Sequence, residues 1–253
     1  MRPIAIITGA SAGFGRATAI ALARNHFDVV ITGRRLEKLE KVEEEIRSKT
    51  EADVLALNFD IRVKEAVEEA CSKLSGKWEN IEVLVNNAGL AAGLNLIHEG
   101  SLDDWEVVVD TNIKGLMYCT RLILPQMVER NRGHIINLGS IAGSWPYPNI
   151  NVYGGTKAFV RQLSLNLKAD LFGTKVRVSL IEPGLGDTDF ALTRFKGDKA
   201  KADELFKGIE ALKPKDVAEI IYWVANLPDH VNINSIEVMP TCQAWGPMSL
   251  KRN

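Results

Sequence analysis

Short apolar runs alternate with longer amphipathic stretches along most of this chain. A short apolar run bounded by turn residues is typical of a strand buried on both faces, while apolar residues at helical spacing predict an amphipathic helix. Strands and helices in alternation predict an α/β fold in which helices cover both faces of a doubly wound parallel sheet. The predicted strands are residues 4–8, 28–32, 54–59, 81–85, 134–138, 176–181 and 233–238, and the clearest helices are residues 36–49 and 63–74.

Two segments depart from this alternation. Residues 185–210 are charged and carry few strand signals, which predicts a mobile lid over a substrate site; we call them the lid segment. The tail, residues 240–253, contains two prolines and little periodicity, so we expect it to be disordered or to dock on a neighbour. Because no linker, repeat or low-complexity tract divides the chain, the sequence predicts a single domain over residues 1–253.

The composition narrows the classes of protein to which the chain can belong. Its 253 residues are 46% apolar, which is ordinary for a globular protein with a substantial core, and a formal net charge of −1 gives no strong field for nucleic acid or an anionic membrane. The three cysteines and four histidines lie far apart, without disulfide or metal-ligand spacing. No apolar run has the length of a membrane span, and the apolar start runs into a glycine loop. We therefore expect a cytoplasmic protein that binds no metal.

A glycine-rich loop stands between the first predicted strand and the first helix. Its glycines permit a tight turn and a close approach of the backbone, and the helix that follows offers free N–H groups and a positive dipole end to a pyrophosphate. With a strand before it and a helix after it, the loop predicts a Rossmann-type dinucleotide site; the alternative is a loop whose glycines only make a turn. The residues expected at the cofactor are Gly9, Ser11, Gly13, Phe14 and Gly15.

The residues after the second strand indicate which dinucleotide binds. An NAD site places an acidic residue there to hold the ribose 2′-hydroxyl. In this chain Arg34 and Arg35 follow the strand, and no carboxylate is present. Because a guanidinium matches a phosphate through two parallel charged hydrogen bonds, the pair predicts NADP. The alternative is that the two arginines cap a helix that faces water.

Two further strand ends lie on the expected path of the cofactor. Asp60 and Ile61 end the third strand, where we expect them to meet the adenine. Asn87, Ala88 and Gly89 follow the fourth strand. The small residues of this run are expected to let the cofactor pass close to the backbone.

A tyrosine and a lysine four residues apart carry the candidate chemistry. On a helix, Tyr153 and Lys157 lie on one face, one turn apart. A free phenol has a pKa of about 10, and a nearby ammonium group lowers that value by favouring the phenolate. Ser140, which follows an apolar run, offers a neutral hydroxyl to a substrate oxygen. We expect Tyr153 to act as an acid/base group; the alternative is a tyrosine and a lysine on a solvated helix face.

Together these motifs resemble the short-chain dehydrogenase/reductase family, and the resemblance covers nearly the whole chain. The combination is far more specific than the glycine loop alone. The matching positions are residues 8–15, Asn86, Asn87, Ala88, Gly89, Asn112, Ser140, Tyr153, Lys157, Pro183 and Gly184.

The resemblance implies a role for each matching side chain. Ser140, Tyr153 and Lys157 would form the catalytic triad, Lys157 would also bond the nicotinamide ribose, and Asn112 would hold a water in a proton relay. The cofactor site would further include Pro183, Gly184 and Thr188.

Longer stretches resemble one subgroup, the NADP-dependent 3-hydroxy acid dehydrogenases, also called serine 3-dehydrogenases. That group oxidises 3-hydroxy acids such as L-serine, L-allo-threonine and 3-hydroxyisobutyrate, and it reduces malonic semialdehyde. Gly186 departs from the family pattern, because many members have a branched apolar residue there. The stretches are residues 128–137, 142–148, 156–162, 194–198 and 230–234.

The subgroup also implies a cytosolic homotetramer. The helices expected to form its interfaces are residues 102–130 and 153–171. Apolar residues lie on more than one face of the second of these helices. Together they form a stripe that is wider than packing on a single core requires. The residues of this stripe are Phe159, Val160, Leu163, Leu167 and Leu171.

A 3-hydroxy acid has a carboxylate near its reacting carbon, so the site needs a cation besides Lys157. Arg194 is the predicted cation because it lies in the lid segment, with Lys196 as the second choice. The alternative is a solvated charge on a lid helix. Trp145 and Tyr147 follow Ser140 closely and are expected to form a wall of the substrate pocket, unless they serve packing alone.

Two other functions are compatible with these motifs. One keeps the chemistry but acts on a diketone or an aldehyde. The other is a non-catalytic protein that senses NADP, although the complete set of catalytic residues argues against it. A turnover assay with NADPH separates this last alternative from the enzymes.

Overall fold

The computed structural model describes residues 2–93, 95–246 and 249–252, and it contains one seven-stranded sheet in the order β3-β2-β1-β4-β5-β6-β7. All paired strands are parallel. This confirms the predicted α/β fold of the Rossmann type. The strands are β1 Ile4–Ile7, β2 Asp28–Gly33, β3 Val54–Asn58, β4 Ile81–Asn86, β5 Gly133–Leu138, β6 Val176–Pro183 and β7 Ser235–Val238.

Helices cover both faces of the sheet and bury two separate apolar layers. One layer lies beneath α1, α2 and α9, and the other lies mainly beneath α3, α5 and α6. The helices are α1 Gly13–Arg24, α2 Leu36–Lys49, α3 Lys64–Ser72, α4 Leu102–Val109, α5 Leu116–Glu129, α6 Asn151–Asp170, α7 Asp189–Arg194, α8 Lys199–Phe206 and α9 Pro214–Ala225. Within the described residues, no helix combines the length and the apolar character that crossing a membrane requires.

The predicted element boundaries agree with the structure to within a few residues, with two informative exceptions. The helix predicted over residues 102–130 is interrupted by a π-helical turn, Asp110–Gly115, between α4 and α5. Such turns are rare in proteins, and those that occur are often found at functional sites. This one contains Asn112. The lid segment, for which no helix boundaries were predicted, contains α7 and α8.

The tail packs on its own chain over the part that the structure describes. The Arg252 guanidinium donates to the Lys207 carbonyl at 2.5 Å, just beyond α8. The Trp145 and Trp245 rings meet edge to face, with centroids 6.3 Å apart. Pro247, Met248 and Asn253, which the prediction for the tail included, lie outside the described residues.

The strand order fixes the place of the site. The chain leaves β1 towards one neighbour, β2, and the strand on its other side is β4. In open α/β sheets, ligands bind in the crevice where the order reverses, outside the carboxyl ends of the strands. The loops that follow β1 and β4 form this crevice here.

Candidate active site

A cleft of about 320 Å³ lies at the carboxyl ends of the central strands. It is lined by the loops after β1 to β6, by the first half of α6 and by the start of the lid segment. Most residues that the sequence assigned to the site meet here. The predicted residues that line the cleft are Gly9, Ser11, Gly13, Phe14, Arg34, Arg35, Ile61, Asn87, Ala88, Gly89, Ser140, Tyr153, Lys157, Pro183, Gly184 and Thr188.

The glycine loop is held against the end of β4 by Asn87. The Asn87 side-chain amide donates to the carbonyls of Thr8 at 2.7 Å and Gly9 at 3.3 Å. Gly9 has φ +68°, and a Cβ there would lie 2.9 Å from the Ala88 Cα. A Cβ at Gly15 would collide with the Asn87 amide, so Gly15 makes room for this contact and does not itself line the cleft.

Two guanidinium groups stand at the end of the cleft beyond β2. Arg35 occupies the N-cap position of α2, yet its side chain makes no capping bond and instead donates to the Ser11 hydroxyl at 3.1 Å. The Arg34 guanidinium lies 3.8 Å from the Asp60 carboxylate and remains half exposed. The interpretation of the pair as helix caps is therefore not supported.

Asp60 lies behind this end of the cleft rather than in it. The Arg62 guanidinium donates to both Asp60 oxygens, at 3.0 and 2.6 Å, and these bonds hold the pKa of Asp60 below its usual value. Ile61 lines the cleft, whereas Asp60 does not. Sequence order placed the two residues together, but the ion pair turns the carboxylate towards Arg62.

Lys157 is buried beneath the cleft on α6. Its ammonium group donates to the Leu138 carbonyl at 2.7 Å and lies 5.9 Å from the centroid of the Tyr153 ring. Burial lowers the pKa of Lys157 to about 8, because the charged form is desolvated. The i, i+4 spacing thus places both side chains on one face of α6, as the sequence predicts.

The expected effect of Lys157 on the phenol of Tyr153 is wrong for this structure. Burial raises the pKa of Tyr153 above its ordinary value, and the nearby Tyr147 adds to this rise. The Ser140 hydroxyl and the Arg194 charge act in the opposite direction but do not overcome desolvation. The phenol therefore holds its proton firmly.

Ser140 lies in the cleft wall at the end of β5. Its Oγ accepts a hydrogen bond from the Ala142 N–H at 3.1 Å and donates to the Pro183 carbonyl at 3.5 Å. These contacts fix a neutral hydroxyl beside the phenol of Tyr153. The two groups can bind one substrate oxygen and move a proton to or from it.

The Asn112 side chain is fully engaged outside the cleft. Its Nδ2 donates to the Leu90 carbonyl at 2.9 Å and to Thr156 Oγ1 at 3.0 Å, while its Oδ1 accepts from the Leu90 N–H at 2.9 Å. Asn112 thereby ties the π-helical turn to α6 and fixes Leu90 in the cleft wall. Its role in a proton relay stays a prediction.

Of the five residues predicted to contact the substrate, Ser140 and Tyr153 line the main cleft, whereas Trp145, Tyr147 and Arg194 do not. The positive charge of Arg194 acts to lower the pKa values of Tyr147 and Tyr153, against the larger opposite effect of burial. Arg194 and Tyr153 also both line a small neighbouring cavity. Within the part of the chain that the structure describes, the Nε of Arg194 is buried without a hydrogen-bond partner. Trp145 instead packs edge to face against Trp245 of the tail.

Ion pairs hold the lid segment against the rest of the molecule. The Asp189 carboxylate lies 3.2 Å from the Lys38 ammonium on α2, and the Lys196 ammonium lies 2.7 Å from the Asp104 carboxylate on α4. Thr188 caps α7 by accepting the Phe190 N–H at 3.2 Å. Since Lys196 is paired, Arg194 is the better candidate to bind a substrate anion.

The position of Phe14 explains why residue 186 is a glycine, where many family members have a branched apolar residue. A Cβ on Gly186 would collide with the Phe14 ring, which comes from the glycine loop. The aromatic ring therefore leaves no room for a branched side chain at this position in this chain. Both residues line the cleft, so the start of the lid segment packs directly on the cofactor loop.

Sequence reasoning did not assign Gln243 or Phe190 to the surroundings of the site. Gln243 in the tail is 7% exposed, and its Oε1 accepts the Leu185 N–H at 2.9 Å beside Gly184. Phe190 packs on Tyr153 with ring centroids 5.5 Å apart. Neither residue belongs to a local motif, and their positions depend on contacts far along the chain.

The chemistry of these groups is that of an acid/base site next to a dinucleotide cleft. A phenol, a hydroxyl and an ammonium group converge at one end, and two guanidinium groups stand at the other. Among the residues that the structure describes, no group of His, Cys, Asp and Glu side chains is arranged to hold a metal ion.

Comparison with known proteins identifies the family. The model of the family described as short chain dehydrogenase matches residues 3–199. The NADP-dependent 3-hydroxy acid dehydrogenase YdfG of Salmonella typhi is 53% identical over 251 residues, which cover 99% of this chain and 100% of that protein. Sulfoacetaldehyde reductase 2 of Chromohalobacter salexigens is 44% identical and is covered over the full length of both chains.

A solved structure agrees with this result. The closed form of serine dehydrogenase complexed with NADP⁺ superposes with a TM-score of 0.93 at 49% identity, over 99% of this chain and 100% of the other. The chain belongs to the short-chain dehydrogenase/reductase family of oxidoreductases.

Proposed function

We propose that the protein is an NADP-dependent oxidoreductase that interconverts small 3-hydroxy acids with the corresponding 3-oxo acids or semialdehydes. The observation that carries the proposal is that Ser140 and Tyr153 line one end of the cleft while Arg194 lines a small cavity that it shares with Tyr153. An acid/base pair next to a cation suits a hydroxyl, or a carbonyl, that lies close to an anion. The names of the YdfG relative and of serine dehydrogenase support the same substrate class.

The cleft fits NADP. Gly9 and Gly13 have φ +68° and +52°, and side chains there would fill the turn next to the pyrophosphate path. Arg34 and Arg35 stand where a 2′-phosphate would bind. Bound NADP would supply the hydride acceptor, or NADPH the donor.

The catalytic role proposed for this chain's side chains is a proton transfer. In oxidation, the Tyr153 phenolate takes the proton of the substrate hydroxyl while Ser140 holds the same oxygen. In reduction, the phenol returns the proton to the carbonyl oxygen. Lys157 would bind the nicotinamide ribose.

A second candidate substrate is an anionic aldehyde such as sulfoacetaldehyde. The observation that favours it is the similarity to sulfoacetaldehyde reductase 2. Malonic semialdehyde and sulfoacetaldehyde both have an aldehyde carbon separated by one methylene from an anionic group. The same cation can therefore bind either compound.

A substrate panel tests the proposal. NADPH consumption is measured with malonic semialdehyde, sulfoacetaldehyde, a neutral aldehyde of similar size and a diketone, and NADP reduction is measured with L-serine and 3-hydroxyisobutyrate. We expect the highest kcat/KM with an anionic compound. A preference for the diketone or the neutral aldehyde would contradict the substrate class, and no turnover at all would favour an NADP-sensing protein.

Replacing Arg34 with Ala should weaken the binding of NADP at least tenfold and change the binding of NAD little. The reason is that the loss of one charge-assisted hydrogen bond costs about 1.5–3 kcal/mol. Titration of both cofactors into the variant measures the effect. Arg24→Ala, which removes an exposed charge from the last turn of α1, is the control. Equal efficiency of wild-type protein with the two cofactors would contradict the assignment.

We also propose a cytoplasmic homotetramer that uses the outer faces of α5 and α6. The apolar residues that the sequence analysis named on this part of α6 do not support the proposal. Val160 is buried, and Leu163 and Leu167 pack into the core of the same chain. Its support is instead that Met117 and Leu165 are 44% and 46% exposed on the two helices. Light scattering at micromolar concentration should give four times the mass of the chain, and the mass of a single chain would exclude the tetramer.

A further inference from the structure

A buried carboxylate outside the catalytic triad lies directly behind the site. Glu182 is 0% exposed in β6, immediately before Pro183 of the cleft wall. Its Oε2 accepts hydrogen bonds from the Arg161 guanidinium and, at 2.8 Å, from the Ser235 hydroxyl, while its Oε1 is buried without a partner among the described residues. A fully buried carboxylate is costly unless it is paired, and Arg161 supplies the partner here.

Arg161 is in register with the two catalytic side chains of α6. It lies four residues after Lys157 and eight after Tyr153, which places all three on one face of the helix. Along this face α6 is joined to the sheet by polar contacts: Lys157 donates to the Leu138 carbonyl at 2.7 Å, and the Asn137 amide donates to the Ser164 hydroxyl at 2.9 Å. The Arg161–Glu182 pair lies between them and joins α6 to β6.

Glu182 also contacts the backbone that positions Ser140. A Cβ on Gly139 would lie 3.0 Å from the Glu182 Cγ, so the residue before Ser140 packs on the glutamate side chain. The Gly139 N–H donates to the Ile181 carbonyl at 2.7 Å. One side chain thus touches the strand end that carries Ser140 and, through Arg161, the helix that carries Tyr153.

We propose that the Arg161–Glu182 ion pair is a positioning device that fixes the register of α6 against β5 and β6, and so the distance between the Tyr153 phenol and the Ser140 hydroxyl. Apolar contacts tolerate small displacements of a helix, whereas a guanidinium bound to a carboxylate fixes distance and direction. A misplacement of about 1 Å can lower turnover about a hundredfold. The inference rests on the proposed function, because it concerns how its acid/base group is held.

The test is the double variant Arg161→Met/Glu182→Leu, compared with each single variant. Arg161→Met should lose thermal stability, because the Glu182 carboxylate stays buried without its partner, whereas Glu182→Leu leaves a guanidinium that is 39% exposed and should lose less. The double variant removes both charges and should recover most of that loss. We expect its kcat to be at least tenfold below that of the wild type, with the Kd for NADPH within twofold of it.

A matched control is Arg132→Met/Glu82→Leu, which removes an ion pair with a 2.6 Å contact at the opposite ends of β4 and β5 and should leave kcat unchanged. Wild-type kcat in the folded Arg161→Met/Glu182→Leu variant would overturn the proposal. If that variant does not fold, Arg161→Lys replaces it, since lysine keeps the charge but not the planar fork. We expect a kcat at least threefold lower at an unchanged Tm, and wild-type kcat would overturn the proposal there too.

The assay uses whichever carbonyl compound the wild-type enzyme reduces fastest. A wrong assignment of the substrate class therefore leaves the test intact. Failure of the acid/base assignment would appear separately, as turnover in a variant that lacks the Tyr153 hydroxyl.

Discussion

Replacing Tyr153 with Phe is expected to lower kcat by about 10²–10⁴-fold, which is the usual contribution of a general acid/base group. The Kd for NADPH should stay close to that of the wild type, because the ring and its packing on Phe190 are retained. Steady-state turnover and cofactor titration measure the two quantities. Tyr222→Phe, which removes a hydroxyl from α9 far from the cleft, is the control. Near-normal turnover in Tyr153→Phe would refute the assignment.

The pH dependence of the wild type provides a second check on this residue. Burial raises the pKa of Tyr153, so the phenol is protonated at neutral pH and is ready to donate a proton in reduction. Oxidation needs the phenolate, so its rate should rise with pH. A rate of oxidation that falls as pH increases through the neutral range would be inconsistent with a tyrosine base.

Replacing Arg194 with Met is expected to raise the KM for an anionic substrate about 10- to 100-fold, because a hydrogen bond to a charged group contributes about 1.5–3 kcal/mol. The buried Nε of Arg194 has no hydrogen-bond partner among the described residues, so one donor is left for a ligand. A neutral aldehyde of similar size should be affected much less, since it has no anionic group to bind. The measurement is KM for both compounds in both proteins.

Lys196→Met is the matched control for this variant. It removes a lid cation that is already paired with Asp104, so the KM for the anionic substrate should change little. Equal losses on charged and neutral substrates in Arg194→Met would show that Arg194 supports the fold of the lid segment. The carboxylate would then bind at Lys196 or at the backbone N–H groups after Ser140.

The parts of the site that follow from local pattern were predictable. The glycine loop, the arginines after β2 and the Tyr153–Lys157 spacing each depend on residues that are near neighbours in sequence. Gln243 could not be found in this way, because it meets Leu185 across 58 positions and lies in a tail without periodicity. Phe14 filling the space beside Gly186 is a similar long-range contact.

The burial and the hydrogen-bond partners of the site side chains were harder to predict than their positions in the fold. The spacing of Tyr153 and Lys157 correctly gave a shared helix face, but it carried no information on burial. Desolvation dominates both groups, raising the pKa of the phenol and lowering that of the ammonium. The side chains of Asp60 and Asn112 likewise lie near their expected positions, while partners in three dimensions decide where they point.

The strand order has a consequence for biosynthesis. One edge of β1 pairs with β2. Its other edge pairs with β4, which begins only at Ile81. At about 5–20 residues per second, several seconds of translation separate the two strands. During that time an apolar strand, Ile4–Ile7, has one unpaired edge on the nascent chain. Chaperones that bind short apolar segments at the ribosome would find their earliest target there.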